Sequence, residues 1–421
     1  MLSVAEALDR VLAAVPVLGA ETIPLSDALG RVLAEPVVAG REIPPWDNSS
    51  MDGYAVRAGD TRTASEARPA MLAVVGEVAA GAVAPDGLGP GQAYRILTGA
   101  PLPPGSDAVV PQEEVRRDGA RVVLTRPVHP GAYVRARGED IRPGDRILEP
   151  GTLLRPAALG VLAALGRARV RVHRRPRVAV LSTGDELVTP EAPLGPGQIP
   201  DSNSYTLCGL ATEAGAVPLS LGIARDRREE LMERLRRGLE ADVLVSSAGV
   251  SVGDRDFVRE AIEALGAHLD FWKVNMRPGK PLTFGQVGGQ VGGQVGGPVG
   301  ERLFFGLPGN PVSCMVTFEL FVRPALRRMG GHRVLQRPRV RAQALEPIDN
   351  PGSRPGYLRV RLERVAGGLG ARPTGEQGSA ILRSMLLADG LAVVAGDTRI
   401  PQGGDVEVIL LLSDGPVTLH G

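Results

Sequence analysis

The strongest constraint on what this chain can fold into is a rhythm between residues 176 and 266. The apolar runs RVAVLS, VPLSLGIA and DVLVSSAG alternate with the amphipathic stretches SYTLCGLATEAG, RREELMERLRRGLE and DFVREAIEALG. Short apolar runs separated by helical patterns give βαβαβα, which buries its surfaces only as a parallel sheet with helices on both faces. The expected unit is a three-layer α/β domain over 173–330. The segments FWKVNMRPGKPLTFG and ERLFFGLPG extend it as a hairpin, and NPVSCMVTFELFVRPALRRM follows as a helix. Between the hairpin arms, QVGGQVGGQVGGPVG at 286–300 repeats with too short a period for a solenoid and reads as a flexible loop.

At 421 residues the chain exceeds a single core. Short alternating runs such as AMLAVVGEV, AYRILTG and ARVVLTRPV, separated by Gly and Pro, predict a β domain over 44–138. It is inserted into a split domain made of 1–43, read as two helices with the second opening at Ser26, and 139–172. Alternating strands from 331 to 421 predict a small C-terminal β-barrel. The fold class expected is therefore multidomain, α/β plus all-β.

Charge and cysteine usage exclude several functions. With 48 basic and 47 acidic residues there is no global field to recruit nucleic acid or a membrane. The arginines of RARVRVHRRPR alternate with Val, as on a solvated strand face, and His173 within them is read as exposed and uninvolved. No apolar run spans a bilayer, and MLSVAEALDRVLAAV carries a Ser3/Glu6 capping box, so it reads as an amphipathic helix and not a leader. Cys208 and Cys314 are too few for a disulfide framework or a Cys zinc site and fit a reducing cytoplasm. Cys314, between apolar neighbours, reads as a core residue.

In an open parallel sheet, ligands gather outside the carboxyl ends of the strands. Those positions here carry STGDEL, ARD, SSAGVSVGDRD and LPGNPVS. Gly249, Gly253 and Gly309 permit close backbone approach, and two of the loops lead into helix N-termini, so a phosphorylated ligand is expected. Glu186, Asp226, Asp254 and Asp256 would repel it without a cation, which points to Mg²⁺. Candidate substrate-binding residues are Ser182, Thr183, Gly184, Gly249, Ser251, Gly253, Pro308, Gly309, Asn310 and Pro311. Lys273 and Lys280, the two lysines of the chain, both lie in the hairpin and supply opposing charge. Four of the five asparagines, Asn48, Asn203, Asn275 and Asn310, also fall within motifs.

Seven motifs, PPWDNSSMDGYAV, RILTGAPLPPGSDAVV, RGEDI, STGDEL, SSAGVSVGDRD, KVNMRPGKP and FGLPGNPVS, occur in an order and spacing that resembles the molybdopterin molybdenumtransferases, a family similar to the C-terminal domain of gephyrin. The resemblance implies insertion of molybdenum, supplied as molybdate, into adenylylated molybdopterin with Mg²⁺-dependent release of AMP. It implies a cytoplasmic homodimer that takes its substrate from a molybdopterin adenylyltransferase, with the PPWDNSSMDGYAV loop of one subunit reaching the other's crevice. By this likeness Asp52, Thr98, Asp140, Lys273 and Lys280 match catalytic positions, and Glu186, Asp226 and Asp256 the metal-binding acids. Pro308 and Pro311 match the proline turn, and Arg277, Lys280, Arg359 and Ser379 contact molybdate. Two departures are Arg277, where many relatives have Lys, and Ala248, which replaces the first Gly of its loop and is strained unless its φ is negative. The alternatives are a molybdopterin adenylyltransferase using ATP and a non-catalytic, gephyrin-like scaffold.

Overall fold

The computed structural model describes residues 1–248, 257–288 and 301–411. Its centre is a six-stranded sheet of β1 (Arg177–Thr183), β2 (Val217–Ala224), β3 (Val243–Ser247), β4 (Ala267–Lys273), β5 (Pro281–Val287) and β6 (Arg302–Leu307), in the order β2-β1-β3-β6-β5-β4. β2, β1, β3 and β6 run parallel, as the alternating pattern predicts. β5 runs against both its neighbours, so the sheet is mixed. Side chains alternate faces along each strand. Val178, Val180, Val245 and Phe305 pack under the helices Asn203–Glu213, Pro311–Thr317 and Arg323–Met329, while Ala179, Leu181, Leu244 and Phe304 face Arg228–Gly238 and Phe257–Ala264.

The first helix, Val4–Ala14, closes with the expected capping box: Glu6 N donates to Ser3 Oγ at 3.2 Å, and Ser3 N to Glu6 Oε2 at 2.8 Å. Its buried face, Ala7, Leu8 and Val11, joins the core of the sheet domain, and Leu2 bridges to Val274. The opening residues thus pack with 173–330, although the sequence pattern groups them with the split domain. The second helix expected at Ser26 is only a 3₁₀ turn, Leu25–Asp27. A positive φ at Gly30 and the bridges of Val32 to Leu153 and Leu33 to Val172 end it there.

The two halves of the split region pair across the insert, through Ala20–Pro24 with Arg169–His173, Val37–Val38 with Arg146–Leu148, and Ile43 with Ile141. Between them lies a second six-stranded sheet, built from residues 53 to 124. The strands Arg339–Ala344, Gly356–Val365, Gly368–Pro373, Gly390–Val394 and Asp405–Leu410 close the C-terminal barrel. No helix among the described residues is long and apolar enough to cross a membrane. His173 is half-buried, its Nδ1 3.1 Å from the Leu18 carbonyl, and not exposed as its sequence context suggests. Of the 286–300 segment, Gln286 and Val287 belong to β5, and residues 289–300 lie outside the described residues.

Buried ion pairs hold the parts together. Asp242, just before β3, accepts from Arg174 Nη1 and Nη2 at 2.9 and 2.8 Å and from Arg177 N at 2.8 Å, tying the incoming chain to the foot of the sheet. Glu319 lies in a π-helical turn, Phe318–Val322, and receives a two-pronged bond from Arg337, 2.9 Å at each oxygen, on the segment leading to the barrel. Arg337 also donates to Glu213 at 2.6 Å. Both Glu319 and Arg337 are buried. Removing one partner of a buried pair strands the other charge, so Arg337→Met should lower unfolding free energy by about 3–5 kcal/mol in urea denaturation.

Candidate functional site

The rim formed by the carboxyl ends of the parallel strands is built from polar residues with specific partners. At the end of β1, Ser182 Oγ donates to Asp201 Oδ1 at 3.0 Å and stands 3.2 Å from Ser247 Oγ at the end of β3, while Thr183 Oγ1 is 3.4 Å from the Ser247 carbonyl. Gly184 has φ +148°, and a Cβ there would meet the Glu186 carboxylate at 2.5–2.8 Å. Only glycine lets that carboxylate fold back over the strand end. Gly309 is equally confined: a Cβ would stand 3.2 Å from the Ala248 Cβ, and its carbonyl accepts from Asn203 Nδ2 at 2.7 Å. The loops after β3 and β6 are therefore in direct contact. Gly249, Ser251, Gly253, Asp254 and Asp256 lie outside the described residues.

The acids and the lysines occupy opposite ends of this rim. Asp226, after β2, is held by its N–H to Asp185 Oδ1 at 3.2 Å, and Arg225 Nη1 donates to the Asp185 carbonyl at 2.6 Å. Partial burial, then the charges of Asp185 and Glu186, raise the Asp226 carboxyl above its ordinary value. Lys273 ends β4 and is paired in register with Pro281, so Lys280 stands beside it at the start of the reversed strand. β1 and β5 are three positions apart in the sheet, and β2 and β4 five, or roughly 14 and 24 Å at a strand spacing of about 4.8 Å. The sequence reading placed the ammonium groups close to the acids; the strand order separates them along one ledge.

Beyond the lysines, the sheet and the barrel share a cationic corner. Arg277 N donates to the Pro355 carbonyl and Tyr357 N to the Arg277 carbonyl, both at 2.8 Å, so the hairpin turn is stitched to the barrel. Arg359 is fully buried. Its Nε donates to Ser384 Oγ at 2.9 Å and its Nη2 to the Gly378 carbonyl at 3.0 Å, while Nη1 has no partner among the described residues. Burial, with the Arg277 charge second, pulls its guanidinium down to about 10. Ser379 reaches the same corner from the barrel: its Oγ accepts from Asn310 Nδ2 at 2.9 Å, and its carbonyl from Val312 N at 3.1 Å. Two arginines kept together with a free buried N–H form a place for an oxyanion. Ser384 and Gln377, which bonds the Arg359 backbone, were not singled out from sequence. Neither were Asp201 and Ser204, although Asn203 between them was; DSNS ahead of an apolar pattern was the available signal.

The remaining catalytic candidates lie in the insert and at its junction. Asp52 Oδ1 accepts from Thr98 N and Oγ1, both at 2.7 Å, and these bonds hold its carboxyl below the usual range. Asp140 is exposed where the chain leaves the insert, its N–H donating to the Ile43 carbonyl at 3.1 Å. No hydrogen bond or ion pair among the described residues joins Asp52, Thr98 or Asp140 to the sheet rim. Pro308 and Pro311 flank Gly309 and Asn310 on the rim, Pro311 opening the helix that follows. Cys314 is buried, and burial pushes its thiol well up, which removes it from thiolate chemistry.

Comparison with known proteins follows this division of the chain. Residues 2–166 match the family description "MoeA N-terminal region (domain I and II)", 179–328 "Probable molybdopterin binding domain" and 341–411 "MoeA C-terminal region (domain IV)". A molybdopterin molybdenumtransferase of Nostoc is 40% identical over 88% of this chain and 84% of its own. The chain belongs to the molybdopterin molybdenumtransferase family. The Bacillus subtilis molybdopterin molybdenumtransferase is 35% identical over 94% of this chain and 90% of its own. A solved structure of a molybdopterin biosynthesis MoeA protein from Pyrococcus horikoshii aligns with a TM-score of 0.80 at 32% identity, covering 97% of this chain and 100% of that one. Members of this family are enzymes, and the multidomain fold is theirs.

Two outcomes follow from the site geometry. Ala248 has φ +69°, the left-handed region that costs a side-chain-bearing residue about 1–2 kcal/mol. Ala248→Gly should therefore stabilise the protein by about 1 kcal/mol, read as a raised denaturation midpoint. Asp226→Asn removes a carboxylate whose charged form the fold disfavours. The variant should be more stable than the parent at pH 7, and the difference should shrink as pH falls through the raised Asp226 value, where the parent takes up its proton.

Proposed function

We propose that this protein inserts molybdenum into adenylylated molybdopterin, hydrolysing the diphosphate link and releasing AMP. The observation that carries this reading is the cationic corner of Arg277, Arg359 and Ser379 beside Lys280, where Nη1 of buried Arg359 has no partner among the described residues. Molybdate is the oxyanion that the family name supports. The ledge between this corner and the acids gives the substrate its place. Lys273 and Lys280 stabilise the charge that develops as the link breaks.

Mg²⁺ suits the acid end. No three His, Cys, Asp or Glu side chains among the described residues form a closed cage. Glu186 and Asp226 instead present an open pair, with Asp226 raised by partial burial first and then by the charges of Asp185 and Glu186. A pair of carboxylates plus phosphate oxygens and water is the set this ion prefers, and Glu186 and Asp226 would hold it, with Asp256 as a third candidate. When bound, the ion offsets the diphosphate charge. Asp52, oriented by Thr98, and Asp140 act in this reading from the partner of a cytoplasmic homodimer, which takes its substrate from a molybdopterin adenylyltransferase. The exposure of Trp46, Met51 and Asp52 on the PPWDNSSMDGYAV loop supports an intersubunit role.

The test is AMP release from adenylylated molybdopterin. Release should require both Mg²⁺ and molybdate, and Arg277→Ala should raise the molybdate concentration for half-maximal rate by about tenfold, the loss of one charged hydrogen bond. Release that ignores molybdate would overturn the reading, and ATP-dependent adenylylation of molybdopterin would assign the adenylyltransferase reaction instead.

A further inference from the structure

Asn310 stands where a helix begins and does not cap it. It precedes Pro311–Thr317 in extended backbone, φ −65° and ψ 127°, the position from which an Asn side chain ordinarily accepts from the first free N–H groups. Here its side chain makes no such bond. The Val312 N–H is taken instead by the Ser379 carbonyl at 3.1 Å, and the released Asn310 amide turns its Nδ2 to Ser379 Oγ at 2.9 Å. The peptide just before it is fixed as well, because Asn203 Nδ2 donates to the Gly309 carbonyl at 2.7 Å. An exposed asparagine is thus held from the sheet side and directed at a hydroxyl of the barrel.

The direction of that bond decides what Ser379 can offer. A hydroxyl has one proton to donate and lone pairs to accept with. With a lone pair engaged by Asn310 Nδ2, the Ser379 proton is left for the corner. The other polar side chains of the corner, Arg277, Arg359 and Lys280, can only donate. The carbonyls of Glu376 and Gly378, on the same loop as Ser379, accept from Arg359 Nη2 at 3.4 and 3.0 Å. A tetrahedral dianion whose oxygens are all bare fits such a set. Hydrogen phosphate of the same charge carries a proton that meets no side-chain acceptor there, and an unpaired polar group in a desolvated place is costly. We propose that Asn310 is a specificity-determining residue acting through Ser379: by holding the hydroxyl as a donor it makes the corner favour proton-free oxyanions over hydrogen phosphate. The inference rests on the molybdenum-insertion reading, which places molybdate at this corner, and deepens it by naming what excludes a competitor of equal charge.

Sulfate and phosphate are nearly equal in size and, near pH 8, in charge, so they differ in the proton that phosphate keeps. Competition of each against molybdate, followed by calorimetry on the full chain, reads the selectivity. The parent should favour sulfate over phosphate by about tenfold, the worth of one hydrogen bond to a charged group. Asn310→Asp presents only acceptors, draws the Ser379 proton to itself and turns the hydroxyl's lone pairs outward. Its added charge weakens both anions alike, whereas the sulfate over phosphate ratio should fall by about tenfold. In Ser379→Ala the ratio should already be low, and adding Asn310→Asp should leave it unchanged. Asn310→Ala, which adds no charge, should give an intermediate ratio and decides the matter if the Asp variant does not fold. A parental ratio in the Asn310 variants overturns the proposal, as does a parent that binds phosphate as well as sulfate. A further fall in the ratio when Asn310→Asp joins Ser379→Ala also overturns it, since Asn310 would then act without Ser379. Molybdate-independent AMP release sinks the molybdenum-insertion reading separately, because it is read from turnover and not from these competitions.

Discussion

The hydrogen-bond ladder of one reversed strand determines how charge is laid out on this protein. β5 runs against β6 and β4, so its first residue, and not its last, lies at the rim where the parallel strands end. That reversal sets Lys280 beside Lys273 and leaves Arg277 at the tip of the connecting turn. A parallel strand in the same place would carry its leading residues to the foot of the sheet, next to Asp242. The cationic end of the ledge is thus a product of backbone direction before it is one of side-chain choice.

Separation of charge along the ledge has a second cause in the sheet order. β2, second of the sheet's strands in chain order, takes an outer position, and the later strands add on the opposite side. The acids after β1 and β2 are consequently displaced from the lysines by several strand widths. An extended molecule with a polyanionic middle meets both ends at once, whereas a compact one meets a single end. Rigid anchoring at the foot of the sheet, where Asp242 gathers Arg174 and the Arg177 N–H, fixes this arrangement from below.

Much of this was legible in the residues. The period of RVAVLS, VPLSLGIA and DVLVSSAG gives the parallel strands, and Ser3 with Glu6 gives the first helix, because both are local patterns. The helix expected at Ser26 failed because Gly30 turns the chain and Val32 and Leu33 bridge to Leu153 and Val172, more than 100 residues away, a tertiary effect that no window of sequence contains. Position in the sheet is likewise non-local: STGDEL and KVNMRPGKP announce acids and lysines but not the strands between them. Arg359 was named through the family resemblance, while Ser384 and Gln377, which hold it, became visible only with the barrel folded. Asp201 was missed since a buried carboxylate and a helix-opening one look alike in sequence.

The stitching of Arg277 to Pro355 and Tyr357 has a consequence for how the molecule is divided. One arginine of the anion corner belongs to the sheet and the other, with Ser379, to the barrel, so the corner has no existence within either domain alone. A chain reduced to the sheet would keep Lys273, Lys280 and Arg277 and lose Arg359 and Ser379. The placing of these arginines is therefore set by the seam between two folding units, and any shift of barrel against sheet moves one guanidinium relative to the other.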